Sequence, residues 1–133
     1  MEEKWIAWNP ATIPEGQYEL IRLEQSWDGV KLTFDDEKYR VVVTYHDNLL
    51  SFRSCDEGDR WRTVAEVLSR NDGKFFKNKL LFKVENSNYK KWFQSESYDK
   101  WDESEYEHHA FVTVNDIIDV LAFSEPVVKV EKI

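Results

Sequence analysis

The chain has 133 residues, a formal net charge of −8 and an aromatic content of 15%. That length suits one core rather than two, and so many rings exclude a disordered chain, which lacks apolar surface to offset its ordering entropy. The acidity argues against nucleic acid and anionic membranes as partners, because phosphate contacts need clustered Lys and Arg, and it steers basic proteins toward the surface instead.

Cys55 is the single cysteine, so no internal disulfide and no four-thiolate zinc site can form. The opening MEEKWIAW lacks the basic-then-apolar pattern of a secretion signal, and no later run approaches the roughly 18 apolar residues of a membrane helix. The expected compartment is the cytoplasm.

In chain order, residues 1–17 hold Pro10, Pro14 and Gly16 around Trp5 and Trp8 and read as an irregular lead-in pinned by its tryptophans. Tyr18–Glu24 alternates as a strand, and Ser26-Trp27-Asp28-Gly29 supplies a hairpin turn. Val30–Phe34 is a half-buried strand, Asp35-Asp36-Glu37-Lys38 a polar connection, and Tyr39–Tyr45 a β-branched strand. After the His46-Asp47-Asn48 turn, Leu49–Ser54 closes an antiparallel meander. Trp61, Val64, Ala65, Val67 and Leu68 then recur at helical spacing over Arg60–Arg70, which Asn71-Asp72-Gly73 ends.

Leu80-Leu81-Phe82 begins a further strand, and Asn86 or Ser87 caps a short helix whose Tyr89, Trp92 and Phe93 share one face. Beyond it Ser95–Glu107 is polar and acidic. His108–Val114 returns to strand, Asn115–Leu121 fits either a strand or a short capped helix, and Val127–Val130 is a last strand after Pro126. The predicted fold is α+β: a mainly antiparallel sheet of about six to eight strands with two short helices packed on it, in one domain.

No catalytic, cofactor or metal constellation emerges. His108 and His109 are neighbours on a strand, so their rings face opposite ways, although Glu107 and His109 share a face. No HExxH, GxSxG or Gly-rich phosphate loop is present. Cys55 precedes Asp56 and Glu57, where a reactive thiolate would need positive charge. The lysines of 74–91, interleaved with Phe75, Phe76, Phe82, Tyr89 and Trp92, match a strand and helix that turn Lys outward and rings inward better than a strand-binding groove.

The segment of interest is acidic and aromatic: Tyr98, Asp99, Trp101, Asp102, Glu103 and Glu105, with Asp35, Asp36 and Glu37 as a second acidic patch. Carboxylates steer a cationic partner while rings give desolvated anchors, so these are the candidate partner-binding residues. Replacing Trp101 and its acidic neighbours should then weaken binding with little loss of fold. A different reading is a small-molecule or peptide pocket between sheet and helices, lined by Trp61, Trp92 and Phe93. A third, hydrolytic reading would use His108 or His109.

Three segments carry a family resemblance: Ser51-Phe52-Arg53-Ser54-Cys55-Asp56-Glu57-Gly58, the run Val84–Phe93 with its Asn86-Ser87 cap, and the run His108–Leu121. Together they resemble a group of small Bacillus-type bacterial proteins, some of which are immunity partners of secreted polymorphic toxins. The resemblance implies a cytoplasmic inhibitor that occludes a toxin domain, and no catalytic residues; the acidic face suits a basic toxin domain.

Overall fold

The computed structural model describes residues 2–133. It is an α+β fold of nine strands in two antiparallel sheets with two helices. The strands are β1 (Lys4–Ala7), β2 (Glu19–Ser26), β3 (Gly29–Asp35), β4 (Tyr39–Tyr45), β5 (Leu49–Asp56), β6 (Leu81–Glu85), β7 (Glu107–Val112), β8 (Asp116–Ala122) and β9 (Val127–Lys132); the helices are α1 (Trp61–Arg70) and α2 (Asn88–Glu96). One sheet has the order β1-β6-β7-β8-β5 and the other β2-β3-β4-β9.

The alternation read along the strands builds the core. Val30, Leu32 and Phe34 of β3 and Val41, Val43 and Tyr45 of β4 are buried against Phe111, Ile118, Val120 and Ala122 of the other sheet. The Phe34 and Phe111 rings stack across the gap at 5.5 Å. Such burial of large apolar side chains is worth roughly 1.5–3 kcal/mol each.

The second face of the five-stranded sheet lies under the helices. Trp5, Val67, Phe82, Val84, Ala110 and Ile117 form a cluster beneath α1, while Tyr89, Tyr106 and Leu121 form another beneath α2.

Three expectations change and one open alternative closes. The lead-in is not wholly irregular: Lys4–Ala7 pairs with β6, because Trp5 is buried against Phe76 and Phe82. Asn115–Leu121 resolves as strand, with Asp116–Ala122 paired to both β5 and β7. In β2 the simple alternation fails, since a register shift between Leu20 and Arg22 turns both Leu20 and Leu23 toward the core and leaves Ile21 outside.

The last concerns α1, where Trp61 sits at the first turn with its ring 81% exposed and Val67 alone is fully buried. Val64 and Val67 carry the contact of α1 with the sheet instead.

Candidate functional site

The α2–β7 connection holds the predicted acidic-aromatic residues. Ser87 caps α2 by accepting from Lys90 N at 3.0 Å, and the helix runs to Glu96. It ends on two successive non-glycine residues in the left-handed region, Tyr98 (φ 52°) and Asp99 (φ 54°), a conformation that costs free energy for a bulky side chain. Tyr98 is 94% exposed.

The strained backbone is held from α2. Gln94 donates to Asp99 Oδ1 at 3.2 Å and to the Trp101 carbonyl at 3.0 Å, and it accepts from the Tyr106 hydroxyl. Lys90 Nζ donates to the carbonyls of Glu103 and Tyr106 at 2.7 and 2.8 Å. Burial lowers the Lys90 pKa, against the pull of Glu103 and Glu107. Burial, then Glu103 and Asp99, push the Tyr106 hydroxyl to about 12, so it remains a donor.

The predicted residues divide by what already occupies them. Trp101 is half-buried, its ring edge-on to Phe123 at 4.9 Å, so it anchors the loop to the body. Asp102 and Glu105 form a reciprocal capping box around a 3-10 turn at Glu103–Glu105. Asp102 also accepts from the Ser104 hydroxyl and backbone, which lower its pKa. Among the described residues the side chains of Tyr98 and Glu103 find no hydrogen-bond partner, and all the acids of the loop are exposed.

Asp35, Asp36 and Glu37 do not join this surface. They form the β3–β4 turn, where Asp36 accepts from Lys38 N and Tyr39 N at 2.7 Å each and Asp35 pairs with Arg40 at 3.5 Å. They line a groove with Val114, which follows β7, whereas Tyr106 precedes it. The six residues of β7 put about 20 Å between the two patches.

Sequence reasoning missed a residue at the end of the sandwich that carries Trp101 and Phe123. Trp27, at the tip of the β2–β3 hairpin, is almost wholly exposed. Val30 pairs with Tyr45, and Asn48 in the next turn donates to Ser124, which places the hairpin tip at this end. A tryptophan inside a polar turn was the available signal.

The other missed feature is a buried polar network under the helices. His108 and His109 do face opposite ways. Ser87 Oγ lies 2.6 Å from His108 Nδ1, and His108 Nε2 lies 2.6 Å from Asp119 Oδ1. Asp119 Oδ2 also accepts from Arg60 Nη1 at 2.6 Å and Arg53 Nε at 2.9 Å.

Asp119 is ionised and can only accept, so His108 donates to it from Nε2, while Ser87 Oγ both accepts from Lys90 N and lies against His108 Nδ1. Burial would raise the Asp119 carboxyl, yet the His108 hydrogen bond, with Arg60 and Arg53, holds it far below the usual carboxylate range. The residue types are those of a nucleophilic triad. The geometry is sealed: Ser87 and Asp119 are fully buried and His108 nearly so, and a nucleophile must be reached by its substrate.

On the inner face His109 Nδ1 accepts from the Tyr45 hydroxyl at 2.7 Å, and Nε2 faces Glu107 at 3.2 Å. Burial depresses the His109 pKa to about 4, outweighing the raising effect of Glu107. Among the described residues no group of three or more His, Cys, Asp or Glu gathers as metal ligands.

Trp61 and Trp92, 81% and 52% exposed, stand on the outside rather than lining a pocket with Phe93, whose ring packs edge-on to Tyr106. Among the described residues no helix is long and apolar enough to cross a membrane. No family model, curated protein or solved structure matches this chain.

Proposed function

We propose that this chain is a protein-binding module, an immunity-type inhibitor that docks a basic toxin domain in the cytoplasm through the Tyr98–Glu105 surface and occludes it stoichiometrically. The observation that carries the reading is Tyr98: an aromatic ring 94% exposed, on a left-handed backbone that Gln94 braces. A fold gains nothing internal from such a ring, whereas a partner gains a rigid, amphipathic anchor.

Asp99, Asp102, Glu103 and Glu105, exposed on the same connection, supply the steering charge. Trp101 acts behind them by fixing the loop on Phe123. Asp35, Asp36 and Glu37 are a second, separate acidic patch at the other end of β7, available to a partner large enough to reach it.

Site-specific crosslinking tests this. A photoreactive phenylalanine analogue replacing Tyr98 should crosslink one basic protein in the native host. The same analogue replacing Glu37 should crosslink it less or not at all. Equal crosslinking from both positions, or none from 98, would remove the site. Association should also slow as salt rises, since screening weakens steering between exposed charges.

A further inference from the structure

Four strands end the two sheets: β1 and β5 in one, β2 and β9 in the other. An edge strand offers a row of unpaired N–H and C=O groups, and proteins blunt such edges with short length, bulges or charge. Three of these edges follow that rule. β1 has four residues, β2 is irregular between Leu20 and Arg22 and carries Glu19, Arg22 and Glu24, and β9 carries Lys129, Glu131 and Lys132.

β5 differs. Its irregularity lies at Leu49/Ser51, and from Ser51 to Asp56 it runs in unbroken register with β8. The charges on that stretch are Arg53 and the terminal Asp56. Glu57 N donates to Asn115 O at 2.8 Å, directly beyond the Asp56–Asp116 pair. Antiparallel alternation therefore aims the backbone groups of Arg53 and Cys55 at β8 and those of Phe52, Ser54 and Asp56 away from the sheet.

We propose that β5 pairs antiparallel with β5 of a second copy of this chain, joining two five-stranded sheets across a twofold axis. Charge along the strand is what selects a second copy. Arg53 and Arg60 share the single carboxylate of Asp119, so positive charge is in surplus at mid-strand, where Arg53 is exposed. Asp56, Glu57 and Asp59 follow at its end.

A twofold that keeps both helix-bearing faces on one side matches residues of the same pleat. Centring it on Arg53 would set two guanidiniums against each other. Centring it on Ser54 sets Arg53 diagonal to both Arg53 and Glu57 of the second copy. Centring it on Cys55 instead sets Arg53 opposite Glu57, the first residue of the 3-10 turn that follows the strand and still held on the ladder by Asn115. The strand is thus self-complementary only when antiparallel. This interface lies apart from the Tyr98 surface and does not depend on the function proposed for it.

Sedimentation equilibrium on the full chain tests the proposal. The expected mass is twice 15.9 kDa at high concentration, falling on dilution. Ser54→Pro removes an outward N–H from each copy, which an edge strand tolerates. It should raise the dimer dissociation constant roughly tenfold or more, with circular dichroism and Tm close to wild type. A short bismaleimide should bridge Cys55 to Cys55 in the wild type and fail to do so in the variant. Should Ser54→Pro misfold, Ser54→Lys reads the same edge. A 15.9 kDa species at every concentration overturns the proposal and leaves the edge to an extended segment of another protein. A dimer that withstands both substitutions and does not crosslink through Cys55 overturns it equally.

Discussion

The Asp119 network and the Tyr98 loop are opposites in how they use chemistry. Asp119, His108 and Ser87 carry the residue types associated with catalysis, and every polar atom that can be satisfied there is turned inward. Tyr98 carries no reactive group, and its ring is left to solvent on a backbone that resists it. Their difference teaches that residue type alone does not mark a site. Accessibility and unused contact capacity do.

The largest effect that would break this contrast is expected at Asp119. Asp119→Ala leaves two guanidiniums and His108 facing a cavity, and it should destabilise by about 3–5 kcal/mol in urea unfolding. Partner affinity of the remaining folded protein should stay unchanged. An affinity loss without a stability loss would make this network a site after all.

Next comes the pH dependence set by His109. Its folded pKa of about 4 lies below the ordinary 6.5, so the unfolded chain takes up a proton first. Stability is therefore complete above pH 6.5 and declines by about 3 kcal/mol as pH falls toward 4. The depressed Asp119 acts lower, its contribution fading only below the ordinary carboxylate pKa of 3.8. Denaturant unfolding at a series of pH values should resolve the two windows, and His109→Phe should remove the upper one. An unchanged slope between pH 6.5 and 4 in that variant would assign it elsewhere.

A smaller effect is expected at Trp101. Half-buried on Phe123, it should cost about 1–2 kcal/mol on replacement by Ala and weaken binding by loosening the loop. That departs from the sequence expectation that Trp101 could be removed with little loss of fold. Tyr98→Ala should change stability by less than about 0.5 kcal/mol, read as an unchanged urea midpoint.

Much of this was legible in the residues. Alternation in Val30–Phe34 and Tyr39–Tyr45 marked the inward faces, and the Ser87 cap marked the start of α2. Placing the His108 and His109 rings on opposite faces needed only the period of a strand. What escaped were features set by long-range partners. Asp119 interrupts an apolar run, Ile117-Ile118-Asp119-Val120-Leu121, which signals a buried charge, but nothing local names Arg53, 66 residues away, as its counterion.

The β1 strand escaped for the same reason, since four residues hold no period and distant β6 and the Trp5 pocket fix them. At α1 the helical spacing was correct and Val64 and Val67 reach the core, while Trp61 at the first turn stays exposed. The acidic segment was found by composition. Its division into the anchoring Trp101, the capping Asp102 and Glu105 and the free Tyr98 required the backbone.

The most direct measurement is isothermal titration of the crosslinked partner, once purified, into wild-type protein and Tyr98→Ala, with the urea midpoint of each measured alongside. The account predicts one-to-one binding weakened at least tenfold by the loss of the ring, about 1.4 kcal/mol or more, with no shift in the midpoint. Equal affinity for the two proteins would contradict it.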